Sequence, residues 1–244
     1  MYRLLRISFL DFKYTLKNKA LLSTILFTVT YTFIFFIYLS NSTIDKNHNT
    51  YYQVFNDISF YIFLIIPAVS FSKEYSFKTS RIIYTGVFSE YQVFIYKVVS
   101  TCLFILTLGI FHRVIGNVFW GLDQGDYSIE ILSYLIGKTL YIYGFTGLFT
   151  ISLAFFFTLI FYNRLGTVIF TVAIFILERF LRGILLIIMN SELIVEVVKH
   201  NPLAIVQNAL QYGSLTIMDG FILIVITFVL NATSLIIIRR KAVD

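Results

Sequence analysis

Six stretches of this chain are too long and too apolar to serve as strands or surface helices of a soluble domain. The cleanest is Ala20–Leu39, which carries no charged residue. A helix of that length rises about 30 Å, the thickness of a bilayer's hydrocarbon core. Five further runs follow at about 55–72, 98–120, 131–161, 165–188 and 218–238. Only 13% of residues are charged, where soluble domains carry about 25%. The sequence therefore predicts an all-α integral membrane protein with six transmembrane helices, residues 1–244 forming one transmembrane domain.

The ends of these runs carry the remaining information. Residues 1–19 precede the first run, and Leu5, Phe9, Phe12 and Leu16 recur at helical spacing with Arg6, Lys13 and Lys17 about a quarter turn away. That pattern predicts an N-terminal interfacial amphipathic helix whose cations face anionic lipid; an ordinary basic flank is the plainer reading. The first run exceeds the apolar core of a secretory signal, so it is read as a retained span. Thirteen of the nineteen Lys and Arg residues lie on one side of the six-span arrangement. The positive-inside rule then puts both termini and the polar insert 73–97 in the cytoplasm. The net charge of +6 on so apolar a chain points to lipid-facing anchors and away from nucleic acid. Residues 190–216 read as two short outer helices before the last span. Pro202 suits the first turn of the second, and Gly213 suits its C-cap.

Motifs for chemistry are sparse. Gly137-Lys138-Thr139 ends like a phosphate loop, but Leu132 stands where that loop needs glycine. His48, His112 and His200 have no metal-ligand spacing, and the single cysteine, Cys102, precludes an internal disulfide. No catalytic residue, metal site or bound cofactor is predicted. Inside the spans, Glu178 with Arg182 one turn on is the main exception, and Arg113 is another ionisable group in an apolar run. Such groups are costly in a bilayer and raise a functional reading by default. Glu178 and Arg182 either neutralise each other, with Arg179 reaching the headgroups, or line a substrate path with Arg113.

Within the insert, Glu74 and Lys78 are placed to pair on a short helix from Tyr75 to Tyr84, broken by Thr85-Gly86. Ser89 can cap the helix that leads on to Lys97. Tyr75, Ile82, Ile83, Tyr84 and Phe88 set apolar surface beside basic Arg81, a composition suited to docking. A helix lying on lipid alone is the alternative.

The sequence Glu74-Tyr75, Thr79-Ser80, Ile82-Ile83, Thr85 to Ser89, then an aromatic helix ending in Lys97, resembles the insert of ABC-2 type ABC-transporter permeases. It departs from that pattern with Lys78 where a small glycine is usual and Gly86 where proline is common. Asn201-Pro202-Leu203 also resembles that family's outer re-entrant helix before the last span. The resemblance implies a permease domain in a bacterial cell membrane, pairing with a second permease copy or paralogue. It implies a separate ABC ATPase subunit that holds ATP and Mg, with Glu74, Tyr75, Lys78, Thr79, Arg81, Ile82, Ile83, Tyr84 and Phe88 as the coupling surface. By size the chain looks like exporters of small antimicrobial or cytolytic peptides, such as bacitracin- and lantibiotic-immunity permeases and phenol-soluble-modulin exporters. Its cargo would be an amphipathic peptide or hydrophobic antimicrobial. An ATPase-independent secondary carrier or membrane immunity protein is the alternative.

Overall fold

The computed structural model describes residues 2–42, 46, 49–76, 90–125, 129–188 and 192–241. Their regular structure is helical throughout: α1 Tyr2–Leu16, α2 Lys19–Ser40, α3 Thr50–Ser76, α4 Glu90–Gln124, α5 Ile129–Phe161, α6 Arg164–Ile188, α7 Glu192–Lys199, α8 Pro202–Tyr212 and α9 Ile217–Lys241. Five of these (α2, α3, α4, α5 and α9) are long and apolar enough to cross a membrane. α6 is also long, but Glu178, Arg179 and Arg182 sit together in its second half.

The centre is a trio, α3, α4 and α5, each packed on the other two. Phe63, Leu64, Ile105, Leu108, Ile142 and Ile151 fill the space between them. Half or more of the spanning part of each is buried, against 17% for α2 and 11% for α9, so these last two form the rim. α2 leans on α3, α9 on α5, and α6 on both α3 and α5. Small residues set the closest crossing. A Cβ added at Gly109 of α4 would stand 2.7 Å from the Tyr143 ring of α5, and one at Gly147 would stand 2.8 Å from Ile105. Close backbone approach through glycine is the usual way helices associate where lipid tails are as apolar as the side chains.

Seven buried threonine hydroxyls are accommodated locally. Thr28, Thr32, Thr146, Thr150, Thr158, Thr167 and Thr171 each donate to a backbone carbonyl four residues earlier. A threonine bonded this way places no unsatisfied donor in an apolar interior.

Several boundaries differ from the sequence reading. The third run, expected at about 98–120, is part of the longer α4, which begins at Glu90. No Gly or Pro interrupts 90–108, so the aromatic lead-in and the span form one helix; it stops before Gly125, whose φ is +73°. α3 begins at Thr50 and continues past Pro67 to Ser76, so Tyr75 lies in its last turn and does not open a new helix. Of α1's expected apolar face, Phe12 and Leu16 pack against the core while Leu5 and Phe9 are exposed. Ser8 is buried and Asp11 reaches α4, where its carboxylate takes Lys97 Nζ at 3.2 Å and Ser100 Oγ at 2.8 Å. α1 is thus keyed to the bundle by a polar contact, and Arg6, Lys13 and Lys17 point outward.

Candidate polar site around helix α8

Helix α8 is short, well capped and central to the polar groups of the molecule. Asn201 Oδ1 accepts from the Leu203 amide at 3.0 Å, Pro202 occupies the first turn, and Gly213 closes the helix at φ 63°. It touches α3, α5, α6, α7 and α9. Ala204, Ile205, Val206, Gln207, Ala209 and Leu210 are buried, so the helix sits in the bundle.

One polar group lies along its side. α6 turns Thr167, Thr171, Phe175 and Glu178 inward, while Ile169, Phe170, Ile176, Leu177 and Phe180 face out. The inner stripe is therefore the polar one, the reverse of a soluble amphipathic helix. Arg182 follows one turn after Glu178, its Nε 3.4 Å from Glu178 Oε1. Its two terminal nitrogens donate to Gln207 Oε1 and Asn208 Oδ1, both at 3.0 Å. Gln207 in turn donates to the Phe175 carbonyl at 2.8 Å. The guanidinium is held on three sides, whereas both Glu178 oxygens are buried with no hydrogen-bond partner among the described residues.

The second group lies at the C-terminal end of α8. Arg113, 1% exposed, stacks on the Tyr52 ring at 3.9 Å. It donates through Nε to Thr139 Oγ1 at 2.9 Å and through Nη1 to Asn49 Oδ1 at 3.1 Å. Its Nη2 would lie 3.2 Å from a Cβ on Gly213, so the positive charge sits against the carbonyl end of α8. His112 stacks on the same Tyr52 ring, centroids 4.1 Å apart and 7° from parallel. Its Nε2 meets the Tyr52 carbonyl at 2.8 Å and its Nδ1 meets the Tyr143 hydroxyl. A carbonyl only accepts, so Nε2 carries the proton and Nδ1 accepts from Tyr143.

Between α3, α6 and α8 lies a partly open cavity. Its polar lining is Asn56 and Asp57 from α3, Arg179 from α6, and Gln207 and Gln211 from α8, over a floor that includes Phe60 and Phe175.

The sequence reading named Glu178 and Arg182, which meet, and Arg113, which belongs to the separate cluster around Tyr52. It did not find Asp57, Asn56, Gln207, Tyr52 or Tyr143. The intramembrane position of Asp57 was a readable signal. The amides of α8 had none, because nothing in the order of residues places them against α6. Glu74 and Tyr75 fall in the last turn of α3, while Lys78, Thr79, Arg81, Ile82, Ile83, Tyr84 and Phe88 lie outside the described residues. Among the described residues no group of three His, Cys, Asp or Glu is placed to hold a metal.

Fold and site together define a multi-helix, apolar protein of membrane type with a polar centre. Compared with known proteins, the chain matches no family model and no curated protein.

Proposed function

We propose that this chain is the membrane-spanning subunit of a bacterial ATP-driven exporter of the ABC-2 permease type, moving an amphipathic peptide or hydrophobic antimicrobial out of the cell or its inner leaflet. In this reading α2, α3, α4, α5, α6 and α9 are six spans, and both termini and residues 73–97 face the cytoplasm. α7 and α8 form the outer re-entrant pair. A separate ABC ATPase subunit holds ATP and Mg and docks on the insert through Tyr75, Ile82, Ile83, Tyr84 and Phe88, with Glu74, Lys78, Thr79 and Arg81 at the rim. A second permease copy or paralogue completes the path.

The observation that carries the reading is the inward polar stripe of α6 beside the cavity. Glu178 is buried beside Arg182 with neither oxygen hydrogen-bonded among the described residues, and an ionisable group inside a span supports a functional reading. The neighbouring cavity, lined by Asn56, Asp57, Arg179 and Gln207 over Phe60 and Phe175, fits passage of a ligand with both polar and apolar faces. The test is co-purification of the chain with an ATP-binding subunit, then ATP-dependent uptake of an amphipathic peptide into inverted vesicles. Ile82→Asp or Tyr84→Asp is expected to abolish both. Uptake that ignores ATP and follows an ion gradient overturns the reading. It would favour the secondary carrier or immunity protein, for which the same intramembrane Glu178 would be the supporting observation.

A further inference from the structure

We infer that the cavity between α3, α6 and α8 is a headgroup site for a zwitterionic lipid, one bearing a primary ammonium beside a phosphate. The inference rests on the six-span placement of the preceding reading and on nothing else in it. Three groups in the cavity wall carry the argument. Asp57 of α3 and Arg179 of α6 both line the cavity and both are exposed at its mouth. They feel each other electrostatically, yet among the described residues neither forms an ion pair within 4 Å. Asp57 lies about 10 Å in from the Thr50 end of α3, and Arg179 about 14 Å in from the Ile188 end of α6. Two charges at that depth are stabilised most simply by direct contact. The structure instead holds them apart across a cavity, so each is presented to whatever lies between them. A carboxylate there takes an ammonium, and a guanidinium takes a phosphate through parallel N–H bonds.

Asn56 adds the third group. The residue is 5% exposed, it lines the cavity, and its Oδ1 has no hydrogen-bond partner among the described residues. A buried amide oxygen without a donor is costly, and an N–H of the same ammonium satisfies it. A quaternary ammonium, which has no N–H, does not.

The mouth decides between a lipid and a water-soluble zwitterion. Tyr61 and Ile176 line the cavity and are 41% and 53% exposed, and the neighbouring Leu177 and Phe180 of α6 are exposed as well. The opening is therefore on the apolar flank of the bundle, where acyl chains lie. A ligand entering there brings its own apolar chain, and the floor of Phe60 and Phe175 accepts the first methylenes below the headgroup.

The experiment uses the full chain purified in maltoside and an equimolar mixture of phosphatidylethanolamine, phosphatidylcholine and phosphatidylglycerol, with retained lipid counted by native mass spectrometry. Phosphatidylethanolamine is expected to be retained about tenfold over the other two, as one added charge-assisted contact predicts. Asp57→Asn and Asn56→Leu should bring it down to the phosphatidylcholine level. Arg179→Gln should lower all three while leaving their order unchanged. Asp57→Glu, which keeps the charge, should restore the preference and so separates binding from misfolding. Equal retention of the three lipids overturns the inference, as does a preference that survives Asp57→Asn. Displacement of the lipid by an amphipathic helical peptide with the same dependence on Asp57 and Arg179 also overturns it, assigning the cavity to peptide. Vesicle uptake by the same variants separates the two readings. Lipid preference without ATP-driven uptake removes the exporter and keeps the site, whereas uptake without lipid preference does the reverse.

Discussion

Replacing Arg182 with glutamine tests whether α6 and α8 are held together by charge. The change removes two hydrogen bonds to α8, each 3.0 Å long. Bonds between membrane helices contribute about 0.6–1.7 kcal/mol each, so this part costs about 1–3 kcal/mol. It also leaves Glu178, 6% exposed, without the cation 3.4 Å away. An acid stranded in the interior adds about 1–2 kcal/mol even after it takes up a proton. The sum is about 2–5 kcal/mol, which for a chain of this size lowers Tm by roughly 4–20 °C. Glu178→Gln alone removes only the pairing and should cost about 1 kcal/mol. In the double variant nothing is stranded, so the total should fall short of the sum of the single changes by about 1–2 kcal/mol. The chain has one cysteine, Cys102, partly buried in α4, so a thiol-reactive dye added during heating reports unfolding directly. Additivity of the two substitutions to within about 0.5 kcal/mol would refute the pairing. Glu178 would then be a carboxylate held for another partner.

Two further predictions follow from the packing. Gly109→Ala drives a Cβ to 2.7 Å from the Tyr143 ring, which is itself fixed by His112, and should cost about 1–3 kcal/mol. Gly144→Ala on α5 meets nothing within 4 Å and should be neutral or stabilising by up to about 1 kcal/mol; equal melting temperatures for the two variants would contradict the α4–α5 crossing. Asp11→Asn removes the charge that faces Lys97. Hydrogen exchange in residues 2–16 should then accelerate about tenfold with the rest of the chain unchanged. No change in exchange would mean that lipid alone holds α1.

What the sequence made legible follows from length and local chemistry. A run such as Ala20–Leu39 has one workable structure in lipid, because every backbone group must find its partner within the segment. The caps of α8 were readable for the same local reason: Asn201-Pro202 and Gly213 act on their own helix. The Glu178–Arg182 pair needs only helical spacing. What was not readable depends on distance in the chain. Asp11 finds Lys97 and Ser100 from 86 and 89 residues away, and Arg182 finds Gln207 and Asn208 from 25 and 26. Hydrophobic periodicity names the apolar face of α1 but not which part of it meets protein and which meets lipid, since both are apolar. The inward stripe of α6 was present as Thr167, Thr171, Phe175 and Glu178, one residue every three to four. In a helix apolar almost all round, that narrow stripe is the only marker of the buried side.

Apart from the Asp11–Lys97–Ser100 contact between α1 and α4, two polar groups of the bundle meet at α8. Arg182 is held along its side, Arg113 lies against its carbonyl end, and Gln207 and Gln211 form one wall of the cavity. A helix of eleven residues is too short to span a bilayer, and its end carbonyls need partners wherever it stops. At its N-terminal end Asn201 Oδ1 accepts from the Leu203 amide, and at its C-terminal end the Arg113 guanidinium stands close to Gly213. The short helix is thus held by its buried apolar residues, by Arg182 at its side and by its own N-terminal cap. A ligand in the cavity meets Gln207, the same amide that holds Arg182, together with Asp57 and Arg179. Gln207 is therefore shared between the cavity wall and the contact that seats α8 against α6.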